Sequence, residues 1–456
     1  MKSLFNTSFN WPVFVGAAIV LRVLFIGMNW PSYFAVLLAL HQFMLLFNSI
    51  GYVLPVRYLF GAFMCMQFFV GPALVYGGLD EYQYINYRMK VPEGEYFLYA
   101  IPAVTAFIVG LHLYAGELKG EVIDEKRVGI FVNRHPQLPY WFIGIGFVSS
   151  LVARFFGSEL AFVFYLLAGF KFIGLFLLII GSNNLKILPM VVVIGSIVAS
   201  SLGDGMFHDL LTWLIFIGAV FAIKYKFGFN IKLIASAAFI FLALTIQLLK
   251  SNYREATGTG EEEKGVETFS KLYEEQNRDK SMFSFERLAP NVVRINQGFI
   301  ITNVMHNVPA VIPFSNGGEM YQVLEAAILP RLIAPDKLRA GDRTIFMRYS
   351  GLHIRSGTSM GLSSLGDAYI NFGILGGAVF MFLLGLMYSA VLNKFYKEAK
   401  TYPVLILFTA LVFYYPIRPD CELQTILGHL FKACFLLYVM IMFFKTTFRV
   451  QPEIIE

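Results

Sequence analysis

The sequence is short of charge. Only 14% of its 456 residues are Asp, Glu, Lys or Arg, against about 25% in an ordinary soluble domain. That shortage excludes a water-solvated surface over most of the chain. Cysteine is scarce too, with only Cys65, Cys421 and Cys434 present. Their spacing excludes a disulfide framework, and no His, Cys, Asp or Glu set is spaced as metal ligands. No metal or other cofactor is therefore expected. The first apolar run lacks a small-residue cleavage site, so it reads as a retained span rather than a signal peptide. An internal repeat is also missing. A carrier built from inverted repeats would show matched interrupted helices in two halves, and the long polar insertion here is placed asymmetrically.

What is abundant is apolar. Hydrophobic residues make up 57% of the chain and aromatics 16%, and the mean hydropathy is +0.64. A bilayer core takes about 20 apolar residues per helix, and such stretches recur. The sequence therefore predicts an all-α, polytopic bundle of twelve spans, near 11–28, 31–50, 57–76, 97–115, 140–156, 159–180, 186–203, 207–223, 230–249, 371–392, 403–417 and 424–444. Three regions follow: a membrane bundle over 1–250, a long loop over 251–370, and three closing spans with a tail over 371–456. The excess of Lys and Arg points to topology rather than nucleic acid. Lys224, Lys226 and Lys232, then Lys394, Lys397 and Lys400, then Lys445 and Arg449 fall on one side if the long loop crosses to the other. Counting back puts Lys119, Lys126, Arg127 and Arg134 on that same side. By the positive-inside rule both termini are cytoplasmic and 251–370 is external.

The loop divides into two parts. Residues 251–280 are polar and rich in Glu, and EEEKGVETFSKLYEEQ reads as a solvated helix on a surface arm. Residues 284–355 alternate apolar and polar groups at helical spacing. There Arg287, Arg294, Arg331, Lys337, Arg339, Arg343, Arg348 and Arg355 outnumber the acidic residues. One reading is re-entrant helices whose arginines snorkel to lipid phosphates. The other is an anion site, because the planar guanidinium fork makes paired charge-assisted bonds to phosphate. Near an outer membrane surface such an anion suggests a polyprenyl pyrophosphate.

Two segments carry a family resemblance. ILPRLIAPDKL at 328–338 resembles the Pro-Arg, Pro-x-Lys segment of bacterial oligosaccharide repeat-unit polymerases, the Wzy-type O-antigen polymerases. GTSMGLSSLGDAYINFGILGG at 357–377 is similar to their glycine- and serine-rich approach to the next span. The order of a basic hairpin, a long external loop and the closing spans is also similar. SSLGDGMFHDLL at 200–211 departs from the pattern: Asp204, His208 and Asp209 stand where family members often carry an Arg. The resemblance implies a GT-C-like fold in a bacterial plasma membrane. It implies an enzyme that polymerises lipid-pyrophosphate-linked repeat units into O-antigen, capsule or exopolysaccharide. The implied partners are donor and acceptor lipids, a chain-length regulator and a flippase. A ligase passing glycan to lipid A core would look alike. A transporter without chemistry would need the matched halves that are missing.

Specific residues follow. Arg331, Lys337, Arg348 and Arg355 are candidates for gripping the pyrophosphate, with Arg294 and Lys171 as further substrate contacts. His353 or Asp367 is the candidate base for the attacking sugar hydroxyl, with His306 after them. Lys171 in span six either faces a cavity or snorkels. The stretch 357–369 reads as non-helical backbone lining a wet cavity, or as a simple lead into a helix, with Gly373 and Gly377 serving close packing. RPDCEL at 418–423 reads as a solvated turn or as facing the same cavity as Asp204 and His208.

Overall fold

The computed structural model describes residues 9–78, 87–113, 121–156, 158–258, 265–278, 288–289, 292–329, 334, 336–338, 341, 343–354 and 360–450. Among them the chain is helical, with no strand beyond one isolated bridge between Val53 and Val122. Eight helices are long and apolar enough to cross a membrane: Trp30–Ser49, Val56–Tyr76, Glu93–His112, Phe162–Gly181, Ile187–Asp204, Phe229–Lys250, Ser363–Ala399 and Leu423–Phe443. Every expected span position is helical, but three are shorter than the sequence suggests. Trp11–Leu24 and Leu138–Val152 have 14 and 15 residues. Leu405–Val412 has only eight, all buried, and reaches about 12 Å, too short for a hydrocarbon core of about 30 Å. Its apolarity serves the protein interior rather than lipid, and hydropathy cannot distinguish the two.

Glu93–His112 and Ser363–Ala399 form the central pair. A side chain on Gly110 would collide with the Phe382 carbonyl, and one on Gly385 with the Phe107 carbonyl. Paired small residues thus let the two backbones touch, as membrane helices often require. Gly377 lies against Tyr99, in the packing role expected of it. Gly373 does something else. Its φ of 65° and ψ of −158° break Ser363–Ala399 into two helical pieces, in a region essentially reserved for glycine. The first piece, 363–372, is almost wholly buried. This corrects the expected loop over 357–369: residues 363–369 are helical, and 357–359 lie outside the described residues.

The long loop is helical in parts. Val266–Arg278 is helical as expected, but only its charged face is solvated; Phe269 and Leu272 pack on the bundle. Gly298–Asn307, Gly318–Ile328 and Arg343–Ser350 follow. The first of these is buried from Gly298 through Met305. It therefore sits in the bundle, where its Ile and Phe side chains gain the most by leaving water. Its lead-in docks on Val56–Tyr76, with the Gln297 N–H donating to the Gln67 carbonyl at 3.2 Å. Gln67 lies in a π-helical turn, Met66–Val70. Wide turns of this kind free a carbonyl from the helical ladder.

Candidate functional site

The short helical piece before Gly373 delivers Asp367 to the start of another helix. Asp367 is 7% exposed, and its Oδ2 accepts from the Leu423 N–H at 2.9 Å. Leu423 opens the helix Leu423–Phe443. The first N–H groups of a helix have no partner within it, and a carboxylate there also meets the positive end of the helix dipole. No hydrogen bond to the other oxygen of Asp367 is formed among the described residues. Glu422, next to Leu423, accepts from Thr425 Oγ1 at 2.8 Å and from the Gly341 N–H. Asp367, Glu422 and Gln424 line an open cleft, with Val323, Ile345 and Phe346 among its apolar residues.

The same turn, 418–423, carries a second group of charges. Arg418 is 14% exposed and lies 3.8 Å from Asp209 and 3.8 Å from Asp420. Its guanidinium stands 5.1 Å from the Tyr415 ring centre. Both ion pairs are longer than a hydrogen bond, so the five N–H donors keep capacity to spare. His208 Nε2 sits 2.6 Å from Asp209. Lys250 lies within electrostatic reach of Arg254, Arg294 and Arg418, opposed by Asp420. Arg254 is held by the Gly205 carbonyl at 2.8 Å. Burial, then the charge of Arg294, pushes Arg254 below its ordinary value. Among the described residues neither Lys250 nor Arg294 forms an ion pair. Among the described residues these four cations have Asp209 and Asp420 as counter-charges, a balance whose chemistry suits an anion.

The expected site residues scatter. Arg294 joins this basic cluster. Arg348 does not: it is 59% exposed and pairs loosely with Glu319 at 3.6 Å. Tyr349 also donates to Glu319, at 3.0 Å, and burial followed by that bond holds its phenol above the ordinary value. Lys337 donates to the Ala326 carbonyl at 2.9 Å and to the Leu329 carbonyl, closing the C-terminus of Gly318–Ile328 as basic side chains do. Lys171 places its ammonium 5.4 Å from the ring centres of Phe147 and Phe172. His353 is exposed just beyond Arg343–Ser350, and His306 is exposed at the end of Gly298–Asn307. Arg331 and Arg355 lie outside the described residues. Among the described residues no three His, Cys, Asp or Glu side chains converge as metal ligands.

Lys250 and Arg254 were not among the expected site residues. Lys250 and Arg254 stand at i and i+4 at the end of an apolar run, which puts them on one helix face, so a signal for them existed. Glu422 stood in the turn 418–423 that the sequence offered as facing a cavity, but its place beside Asp367 depends on a contact across more than fifty residues. The charged turn does face His208 and Asp209, through Arg418.

No family model, curated protein or solved structure matches this chain.

Proposed function

We propose that this chain is a membrane glycosyltransferase that joins polyprenyl-pyrophosphate-linked oligosaccharide repeat units into a surface polysaccharide. One observation carries the reading. The turn 418–423 holds Arg418, at the edge of a basic cluster, at one end and a carboxylate cleft at the other. Five residue steps span at most about 18 Å, so an anion beside Arg418 and a hydroxyl beside Asp367 fit one substrate complex.

The chemistry then follows from the residues. A hydroxyl oxygen of the acceptor sugar attacks the anomeric carbon of the donor, and its proton passes to the open oxygen of Asp367. The bond between that carbon and the pyrophosphate oxygen breaks. Lys250, Arg254, Arg294 and Arg418 stabilise the charge that collects on the departing lipid pyrophosphate, which is electrostatic stabilisation of a leaving group. Glu422 and Gln424 orient the acceptor. The reading places the cleft and basic cluster at the external face of a bacterial plasma membrane, with both termini in the cytoplasm.

Deleting the gene and resolving the surface glycan by size tests this. Single repeat units in place of a ladder are expected. Full-length chains held on the lipid carrier would instead indicate a ligase, and absence of external lipid-linked units a transporter. Orientation is checked with an impermeant thiol reagent. A Thr259→Cys variant should label in intact cells, and Lys397→Cys only after permeabilisation.

A further inference from the structure

We infer that the cleft beside Asp367 is the subsite for the sugar that supplies the attacking hydroxyl, and that it admits neutral or amino sugars and rejects those bearing a carboxylate. The inference deepens the glycosyltransferase reading and rests on it. Three observations carry it.

The polar face of the cleft presents acceptors. Asp367 is more than nine-tenths buried, yet only its Oδ2 is engaged, by the Leu423 N–H. Its other oxygen has no hydrogen-bond partner among the described residues, although the residue lines the cleft. Gln424 donates its amide to the Leu338 carbonyl at 2.8 Å, which leaves its own oxygen as the free end. With Glu422 these groups match a ligand whose polar atoms are hydroxyl donors. The apolar residues of the cleft, Phe346 and Val323 among them, suit the C–H face of a pyranose ring.

The charges around the cleft set the selection. Among the described residues no cation lines it. Lys337 is turned to the Ala326 and Leu329 carbonyls, Arg343 to the Ile354 carbonyl, and Arg348 to Glu319. A carboxylated sugar would meet two carboxyl groups and, among the described residues, no cation, whereas a hydroxyl or ammonium would be welcomed. Rejection by unpaired like charge is how a site excludes a near-isostere.

The test uses the full chain in lipid nanodiscs and three probes: a methyl hexoside, its 2-amino analogue and the methyl hexuronoside. Binding is read by saturation-transfer NMR. The hexoside and amino glycoside should bind, and the hexuronoside should bind about tenfold more weakly or worse. Glu422→Gln should narrow that gap. Val323→Phe, which fills the cleft without touching a polar group, should abolish binding of all three while the unfolding temperature holds. Gln424→Leu should weaken the hexoside with the fold equally intact. Equal binding of hexuronoside and hexoside in the native chain would overturn the inference. So would an undiminished gap in Glu422→Gln, or sugar binding that survives Val323→Phe. Failure of the wider reading looks different: the glycan ladder would persist in the deletion strain whatever the probes bind.

Discussion

Two groups of charge stand near opposite ends of the kinked helix Ser363–Ala399, and they are built differently. At one end Arg57 is 1% exposed and saturated. Its Nε pairs with Glu121 at 2.8 Å, and its Nη1 donates to Ser389 at 3.1 Å and to the Leu111 carbonyl. Its Nη2 reaches Asn393 at 3.5 Å. At the other end Arg418 has two ion pairs at 3.8 Å, beside the further cations Lys250, Arg254 and Arg294. Gly373 and Asn393 are twenty residues apart, about 30 Å of helix, close to the thickness of a hydrocarbon core. The difference separates structure from chemistry. A buried ion is tolerable when its hydrogen bonds are complete, and Arg57 meets that condition by tying three helices together. A cluster left short of counter-charge gains by binding an anion.

That contrast can be broken experimentally. The largest effect is expected at the open end. Asn at Asp367 can still accept from the Leu423 N–H but cannot take a proton, so Asp367→Asn should lower polymer formation about 10²–10⁴-fold with normal expression and unfolding temperature. Wild-type glycan ladders from this variant would remove Asp367 as the base. At the closed end the outcome should reverse. Arg57→Ala strands the Glu121 carboxylate in the interior and should cost roughly 3–5 kcal/mol of stability, read as a lower unfolding temperature in detergent. If Arg418→Ala destabilised the protein as much, the two ends would not differ in kind.

Next come the cations. Arg294→Lys and Arg418→Lys keep charge but lose the two-pronged fork. Each should cost roughly 1.5–3 kcal/mol, or about ten- to a hundredfold in rate; lysine variants as active as the native chain would reduce the cluster to lipid anchoring. Gly373→Ala should follow, because its φ of 65° strains any other residue by about 1–3 kcal/mol. Straightening the helix would swing Asp367 off Leu423, so activity should fall further than stability does. Last is Arg348→Ala. Its half-open pair with Glu319 should be worth under about 1 kcal/mol, and ladders should stay close to normal. A large loss there would return Arg348 to the substrate site.

Much of the membrane architecture was legible in the chain. Long apolar runs such as Phe229–Lys250 and Leu423–Phe443 form helices where hydropathy puts them, because backbone without water must bond within itself. Leu405–Val412 misleads for the same reason, since an interior and a bilayer are equally apolar. The site was less legible. Asp367 stood out as a charge before a span, whereas Lys337 looked like an anion ligand and is a helix cap. Both are charged residues among glycines or prolines, and their roles differ only in what they touch.

The sequence by itself determined what depends on neighbours along the chain: the helices, the basic loops, the helix Val266–Arg278, and the i, i+4 pairing of Lys250 with Arg254. Tertiary structure alone decided what depends on long-range contact. It set Asp367 on Leu423, Glu422 into the cleft, Arg418 onto Asp209, and Arg57 among Glu121, Ser389 and Asn393. The physical reason is that a local pattern records which face of a helix is apolar. Whether a charge on that helix is neutralised depends on which other helix arrives beside it, through contacts such as Gly110 on Phe382 that leave no local trace.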